Sequence, residues 1–262
     1  MRTLGRAARR PADSGTFLPD VFPKFAESGM RLREGTATIL AGPPGAMKTA
    51  LALYWVGRMN LPTLYYSCDS EDFEVVERVA AMMTGDTVQQ VRANPEKYAE
   101  ALDELNLRFT FEDSPTYDDV ILEVSAYAEV HGAWPKVIVI DNVMNLTGDN
   151  ESEWAAHRDH MRVIHKLTRV TKASVLVLAH MSDDRIDTTV PAARSKLMGK
   201  IGALPKLIIS LAFDGQHLRA APVKSRWGRA DPSGQTFEQL WVDPARFQMF
   251  NSREEFLSGR PA

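Results

Sequence analysis

The chain has 262 residues, of which 44% are hydrophobic and 25% are charged. This length and composition fit one large domain with a full core, and they exclude wholesale disorder. The single cysteine, Cys68, excludes an intrachain disulfide and a metal site made only of cysteines. No apolar run is long enough to span a bilayer, and the arginine-rich N-terminus lacks the apolar segment of a secretory signal. These features predict a soluble protein of a reducing cytoplasm.

Charge is distributed unevenly along the chain, although the net charge is only −3. From Asp69 to Glu129 there are 16 acidic and 4 basic residues, whereas from Arg185 to Arg229 there are 9 basic and 2 acidic residues. Such asymmetry indicates a polyanionic partner on one face of the protein. The alternative is that these charges only solvate the surface.

Residues 1–28 have little periodicity and are rich in arginine and proline, so we expect a flexible arm or linker. From residue 36 onward, short β-type runs alternate with amphipathic helical patterns. Predicted strands cover residues 36–41, 62–68, 107–113, 136–141, 174–180, 206–213, 217–223 and 239–243, and predicted helices cover 49–59, 71–83, 94–106, 117–132 and 151–172. This order predicts an α/β fold with a mostly parallel central sheet and helices on both faces.

A glycine- and proline-rich loop separates the first strand from the first helix. Gly42, Gly45, Lys48 and Thr49 are typical of a P-loop, in which backbone amides approach the phosphates, the lysine reaches the β- and γ-phosphates and the threonine binds Mg²⁺. Met47 stands where the motif has glycine, so we expect it to take a negative φ or to open the loop slightly. The predicted nucleotide-binding residues are Gly42, Pro43, Pro44, Gly45, Ala46, Met47, Lys48, Thr49 and Ala50.

Polar residues end three further strands, at the sheet edge where α/β proteins bind ligands. Asp141 is predicted to hold Mg²⁺ together with Thr49. Asp69 and Glu71 are the candidate general bases that orient the attacking water, and Asp69 lies nearer to the strand end. His180 is the candidate sensor of the γ-phosphate. The structural alternatives are a strand-capping aspartate, an acidic helix N-terminus and a structural histidine.

In this order, the segments resemble the RecA-like motor domain of DnaB-type replicative helicases. The resemblance covers roughly residues 30–250 and includes the P-loop, KVIVIDNVMNL at 136–146, VLVLAHM at 175–181 and APVKSRWGRADPSG at 221–234. It implies a RecA-like ATPase domain at 29–250, a C-terminal tail at 251–262, and ATP or another NTP with Mg²⁺ as ligands. It also implies a hexameric ring, and a compact form without the family's helical N-terminal domain, as in phage- or plasmid-encoded relatives.

The resemblance also assigns roles to basic residues late in the chain. In this family a lysine and an arginine reach into the ATP of the neighbouring subunit, which implies that role for Lys224 and Arg226; the alternative is two solvated cations on an edge strand. Loops of the central pore track single-stranded DNA in the family. The residues that this implies as DNA phosphate contacts are Arg185, Arg194, Lys196 and Lys200.

The sequence therefore predicts a Mg²⁺-dependent NTPase that translocates on single-stranded or forked DNA in replication or recombination. Three alternatives stay open: a RecA-like recombination or annealing ATPase, a regulatory ATPase without a DNA role, and a structure-selective nuclease. The nuclease would use the acidic cluster of Asp183, Asp184 and Asp187. A metal site on the helix with His157, His160 and His165 is disfavoured because no cysteine or nearby carboxylate completes the ligand set.

Overall fold

The computed structural model describes residues 15–148, 153–182 and 188–259, without the side chains of residues 153–158 and Lys200. Its strands are β1 Ala37–Gly42, β2 Thr63–Ser67, β3 Leu107–Thr110, β4 Val137–Asp141, β5 Ser174–His180, β6 Leu207–Phe213, β7 His217–Ser225, β8 Glu238–Asp243 and β9 Gln248–Phe250. Its α-helices are α1 Pro23–Glu27, α2 Lys48–Met59, α3 Asp72–Thr84, α4 Val88–Ala93, α5 Ala99–Asp103, α6 Tyr117–His131, α7 Glu153–Thr171 and α8 Arg253–Ser258.

These strands form one sheet in the order β3-β2-β4-β5-β1-β6-β7-β8-β9. Neighbouring strands from β3 through β6 pair in parallel, whereas β7, β8 and β9 continue the sheet with antiparallel pairing. The mostly parallel α/β fold predicted from the sequence is confirmed. The antiparallel end fits the sequence, because no helical crossover separates the last strands.

The central strands have almost no polar positions because both faces of the sheet are buried. Along β4, Val139 packs into a cluster with helices α2 and α3, and Ile138 packs into a second cluster with α6 and α7. All five residues of β4 and all six of β1 are buried. Helices cover both faces because each apolar face must be removed from water.

The outer segments pack more closely than an arm and a peripheral tail would. Residues 1–14 lie outside the described residues, but Phe22 and Phe25 of the predicted arm are 3% and 1% exposed and contact Trp55 of α2. Helix α8 contacts the sheet through Phe256, whose ring lies 5.5 Å from that of Trp241. The flexible-arm expectation is therefore wrong for residues 15–28, because aromatic burial holds them on the domain. The boundaries at 28 and 251 themselves stay predictions.

One predicted helix is divided in the structure. Residues 94–106 form a 3₁₀ turn at Pro95–Tyr98 followed by the short helix α5, and α4 precedes them. Pro95 begins the 3₁₀ turn because its ring excludes a continuous hydrogen-bonded helix through this point. Among the described residues, no helix combines the length and the apolarity that crossing a membrane needs.

Candidate active site

The register of the parallel strands brings several predicted site residues to the carboxyl edge of the sheet. Gly42, the last residue of β1, lies opposite His180, the last residue of β5. Ser67 of β2 lies opposite Asp141 of β4, and β4 in turn pairs with β5. The P-loop, Asp141 and His180 therefore meet at one edge, and Asp69 joins them two residues after β2.

The loop between β1 and α2 has the geometry that phosphate binding requires. Gly45 has a φ of 77°, and a Cβ atom placed there would meet nothing within 4 Å. A Cβ atom at Gly42 would lie 2.9 Å from that of Ala46, so this position requires glycine. Met47, the N-cap of α2, makes no side-chain cap hydrogen bond. The first backbone N–H groups of the helix are thus left for an anion.

Lys48 is 8% exposed, and its ammonium group bonds back to the loop. Nζ donates to the carbonyl oxygens of Gly42 at 3.1 Å and Pro43 at 3.0 Å, and it lies 3.5 Å from Nδ1 of His180. Burial lowers the pKa of Lys48, and nearby carboxylates oppose that change. A phosphate group in the loop would compensate this buried charge, so the residues present fit a nucleotide.

Met47 differs from the expectation for its position. It has φ 62° and ψ 25°, a left-handed conformation, instead of a negative φ. The half-buried side chain packs against the hydrophobic cluster that contains α2. This packing offsets a backbone conformation that costs about 1–2 kcal/mol for a residue with a Cβ atom. The prediction of a negative φ is therefore wrong, because the turn into the helix is retained by a strained methionine.

Asp141 has a buried carboxylate, 4% exposed, that accepts hydrogen bonds from the hydroxyl groups of Thr49 and Tyr65. Burial raises the pKa of Asp141, and both hydrogen bonds oppose the rise. A hydroxyl and a carboxylate side by side are the oxygen ligands that Mg²⁺ prefers, so this pair fits the metal. Sequence reasoning missed Tyr65, because an aromatic residue inside a strand is indistinguishable there from a core residue.

Asn142 is the second residue that sequence reasoning missed. It follows Asp141 across a cis peptide bond and is 3% exposed. Its side-chain N–H donates to the carboxylate of Asp69, and its nitrogen lies 3.3 Å from Nε2 of His180. Its side-chain oxygen accepts from the backbone N–H of Met144 at 2.7 Å. Asn142 thereby positions Asp69 relative to His180, and its place beside a strand-end acid was the one available signal.

The two candidate bases are held differently. Asp69 is exposed but is joined to Asn142. Glu71 is also exposed and stands at the N-cap of α3, where it makes no side-chain cap hydrogen bond. Both line an acidic cavity of about 380 Å³ together with Asp72 and Asp113. The geometry favours Asp69 over Glu71 as the base, because Asp69 is connected to the residues around the P-loop.

The surroundings of His180 favour its neutral imidazole form. Burial, with the ammonium group of Lys48, lowers its pKa, and the carboxylate of Asp69 opposes the change. A neutral ring has one donor and one acceptor nitrogen. Both of its polar neighbours, Nζ of Lys48 and the side-chain nitrogen of Asn142, are donors. In the neutral form, one ring nitrogen thus carries an N–H for which the described residues supply no acceptor, and a phosphate oxygen would supply it.

Lys224 and Arg226 lie at the opposite, amino edge of the sheet. Lys224 is near the end of β7, which pairs with the beginning of β6, and Arg226 follows β7. About four strand residues, or about 13 Å, separate this level from the P-loop of the same chain. Nζ of Lys224 donates to the carbonyl oxygens of Gly202 and Ala203, each at 2.8 Å. Burial, with several neighbouring cations, lowers the pKa of Lys224 to about 8.

The predicted DNA-contact segment, which contains Arg185, Arg194, Lys196 and Lys200, lies only partly within the described residues. Arg194 is exposed, and its guanidinium donates at 3.3 Å to Gly202, the residue that Lys224 also contacts. Lys196 is half-buried in a 3₁₀ turn. Arg185, with the acidic cluster of the nuclease alternative, lies outside the described residues, as does the side chain of Lys200. Leu197 and Ile201 of this segment pack into the hydrophobic cluster with α6 and α7, so the described part is anchored on the domain.

The histidines of the disfavoured metal site are placed only in part. His160 is 2% exposed, and its Nδ1 lies 2.6 Å from the hydroxyl oxygen of Tyr117. The side chain of His157 lies outside the described residues. Within the described ranges, no group of three or more histidine, cysteine or acidic side chains is spaced to hold a metal ion.

Comparison with known proteins shows the family to which the chain belongs. A family model described as AAA domain matches residues 28–185, which is more than half of the chain. The chain belongs to this AAA domain family. It is 30% identical over 241 residues to the Gene 65 protein of Mycobacterium phage L5, covering 87% of this chain and 90% of that protein. The Gene 65 protein of Mycobacterium phage D29 is 28% identical over 216 residues, covering 77% of this chain and 93% of that protein.

Solved structures similar to this AAA domain confirm the predicted fold. A structure described as an ATPase domain matches with a TM-score of 0.79 and 15% identity, covering 92% of this chain and 94% of that one. A DnaB-like replicative helicase matches with a TM-score of 0.77 and 15% identity, covering 94% of this chain and 66% of that one. A KaiC-like protein from Pyrococcus horikoshii OT3 has a TM-score of 0.62 at 13% identity, covering 90% of this chain and 98% of that one. The chain thus has the RecA-like fold of helicase ATPase domains.

Proposed function

We propose that the protein is an ATP-dependent DNA motor that hydrolyses ATP or another NTP and translocates on single-stranded or forked DNA. The observation that carries the proposal is the network at the carboxyl edge, which joins Lys48, Asp141, Asn142, Asp69 and His180 around the P-loop. The helicase ATPase fold and the phage-encoded relatives support a role in replication or recombination within a bacterial cytoplasm.

In the reaction, water attacks the γ-phosphorus, the bond to the oxygen that bridges the β- and γ-phosphates breaks, and the nucleoside diphosphate and inorganic phosphate are released. Lys48 and the loop amides bind the phosphates, and Asp69, positioned by Asn142, orients the water and accepts its proton. Thr49 and Asp141 would hold Mg²⁺, which supplies positive charge to the phosphate oxygens. The neutral His180 donates its N–H to the γ-phosphate and thereby responds to its presence. Most of the rate gain comes from preorganised charge and orientation.

The active form is a homo-oligomer, a hexameric ring in our proposal. Lys224 and Arg226 are too far from the P-loop of their own chain, so they complete the site of a neighbour. The two edges also have opposite charge, with Asp69, Glu71 and Asp113 on one and basic residues on the other. Head-to-tail contacts between unlike edges close into rings when the rotation permits.

DNA contact is assigned to the basic segment that contains Arg185, Arg194, Lys196 and Lys200, which contacts phosphates without reading sequence. Arg194 and Lys224 share the carbonyl group of Gly202. A shift of the DNA-contact segment would therefore move the lysine that serves the neighbouring nucleotide. This shared contact supports a coupling between DNA binding and hydrolysis.

The test is one reaction with Mg-ATP, the protein and end-labelled forked DNA, in which phosphate release and strand length are followed together. We expect DNA-stimulated phosphate release with intact strands, and a loss of at least ~100-fold in Lys48→Ala. Strand separation then identifies a helicase, whereas stimulated hydrolysis without separation indicates a translocating or annealing ATPase. Hydrolysis that DNA leaves unchanged, or strand cleavage that persists in Lys48→Ala, contradicts the proposal.

A further inference from the structure

A basic cavity lies at the amino edge of the sheet, and its lining among the described residues includes no residue of the P-loop and none of the predicted DNA contacts. This amino-edge cavity has a volume of about 510 Å³. The residues that line it and carry the argument are Arg33, Glu34, Arg169, Lys172, Lys206 and Trp227. It therefore brings four cations and an aromatic ring to one concave surface.

The fold explains why these cations meet. Lys172 and Lys206 come just before β5 and β6, and Arg33 comes shortly before β1, so all three lie where parallel strands begin. The backbone N–H of Gly35 donates to the carbonyl oxygen of Lys172 at 2.8 Å, which joins two of these entry segments. Arg169 stands in the last turn of α7, directly above this edge.

Part of the positive charge of the cavity, that of Arg169 and Lys206, is uncompensated within the described residues. Its one acidic residue, Glu34, is already bonded to Thr16 at 2.9 Å and to Lys136 at 3.2 Å. Within the described residues, the side chains of Arg169 and Lys206 make no hydrogen bond or ion pair. The dipole of α7 favours Arg169 at its C-terminus, but it gives no reason for Lys206, which lies between a 3₁₀ turn and β6. A concave surface with unneutralised cations selects anions.

Trp227 gives the cavity a second chemical character. The guanidinium of Arg33 lies 5.4 Å above the Trp227 ring, and the ring of Phe17 lies 6.1 Å from it in an edge-to-face arrangement. These contacts fix the aromatic wall beside the cations. Cations with an adjacent flat ring are typical of surfaces that follow a single-stranded nucleic acid, since the cations contact phosphates and rings accept bases.

We propose that the amino-edge cavity binds phosphate groups of single-stranded DNA, as a second contact separate from the predicted DNA-contact segment. The proposal rests on the proposed function, because it extends the DNA path of the same motor. Lys206 connects the two regions, since its charge acts on Lys224, which in turn shares a carbonyl with Arg194. In this proposal, the single-stranded DNA follows a basic path on the protein surface from Arg194 toward Arg169.

The test measures binding of a fluorescent oligo(dT) strand to the full chain by anisotropy over a range of NaCl concentrations. Each lost phosphate contact lowers the slope of log affinity against log salt by about 0.7. We therefore expect Arg169→Ala/Lys206→Ala to bind more weakly and to lower the slope by about 1.4. The matched control is Arg162→Ala/Lys166→Ala, which removes the same charge from exposed sites, both of them on α7 and outside the cavity. Phosphate release without DNA, measured at pH 7 and so below the pKa of Lys224, stays unchanged in both variants.

If wild-type protein binds the strand and the cavity variant matches it in affinity and slope, the inference is wrong while the proposed function stands. If wild-type protein binds no strand, the proposed function fails, and the cavity is then tested with inorganic tripolyphosphate by calorimetry in a Lys48→Ala background. Loss of tripolyphosphate binding in the cavity variant supports a phosphate site for a free ligand. Equal binding in both proteins overturns it.

Discussion

The two edges of one sheet hold their charged groups in different ways. At the carboxyl edge, Asp141 and Asn142 are 4% and 3% exposed, and each has hydrogen-bond partners within the chain. At the amino edge, Arg226 and Arg169 are exposed, and neither bonds to a carboxylate of the described residues. At the first edge, hydrogen bonds within the chain hold these polar groups in place, whereas the second edge has cations for which the described part of this chain supplies no acidic partner.

This difference indicates where function needs a second molecule. Buried polar groups must be satisfied within the chain, so the carboxyl edge is preorganised for phosphates before any partner binds. Leaving an exposed cation unpaired destabilises the folded protein only slightly. The cations of the amino edge are therefore available to bind a neighbouring subunit or a nucleic acid. Variants of each edge should therefore fail in different ways, and the following predictions test that division.

The largest effect is expected for Arg226→Ala. An arginine that stabilises the transferring phosphoryl group contributes 10³–10⁵ in rate, so steady-state phosphate release should fall by about that factor. Because Arg226 is exposed and unpaired among the described residues, the melting temperature should not change. Coupled-enzyme phosphate assays together with thermal melting measure both quantities.

Mixing variants tests whether Arg226 acts on a neighbour. Equal amounts of Arg226→Ala and Lys48→Ala, each inactive alone, should recover activity, because about a quarter of the head-to-tail interfaces then have both intact groups. A control mixture of Lys48→Ala with itself stays inactive. A mixture that forms joint oligomers in native mass spectrometry but hydrolyses no ATP would falsify action in trans.

The next effect in size is expected for Asn142→Ala. Losing the amide that positions Asp69 should lower kcat about 10–100-fold, the scale of residues that orient a reacting group, with little change in KM for ATP. Asn142→Asp should lose as much, because it replaces the donating amide with a second carboxylate that repels Asp69. Asn145→Ala, in the same 3₁₀ turn, is the matched control. Equal effects of both alanine variants would show that only local folding is involved.

The lowered pKa of Lys224 predicts a pH dependence of ATP hydrolysis that belongs to the amino edge. Its pKa is lowered to about 8, so its amine is charged below that pH and loses its charge as pH rises. Hydrolysis that needs this charge should fall about tenfold per pH unit above the pKa. Lys224→Arg keeps its charge, so the alkaline limb should disappear from the kcat profile. Persistence of the same limb in Lys224→Arg would assign it to another group.

The sequence determined the carboxyl edge better than the amino edge. Strand-end residues such as Asp141 and His180 were predictable because parallel register fixes which strand ends meet. The partners that position the site were harder to predict, because Tyr65 and Asn142 act through hydrogen bonds across strands. Tyr65 is indistinguishable in sequence from a core aromatic residue, and the one signal for Asn142 is its place beside a strand-end acid.

The amino-edge cavity depends on contacts between distant segments. Arg33, Arg169 and Lys206 are separated by more than thirty residues each along the chain, and they meet only because three strands begin together. The same reason explains the packing of residues 15–28, since Phe22 and Phe25 find their aromatic partner in α2. Charge asymmetry predicted a polyanionic partner, but it did not predict where these cations converge.

The smallest effect concerns backbone strain at the carboxyl edge. Met47 has φ 62°, where a Cβ atom costs about 1–2 kcal/mol and glycine costs little. Met47→Gly and Met47→Ala lose the same packing to a first approximation, so their difference isolates the backbone. At an ordinary helix start alanine is the more stable residue, but here glycine should be more stable by about 1 kcal/mol, or about 2–4 °C in melting temperature. Alanine equal to or above glycine would mean that the P-loop carries no strain at this residue, and that the preorganisation of this edge resides in its hydrogen bonds alone.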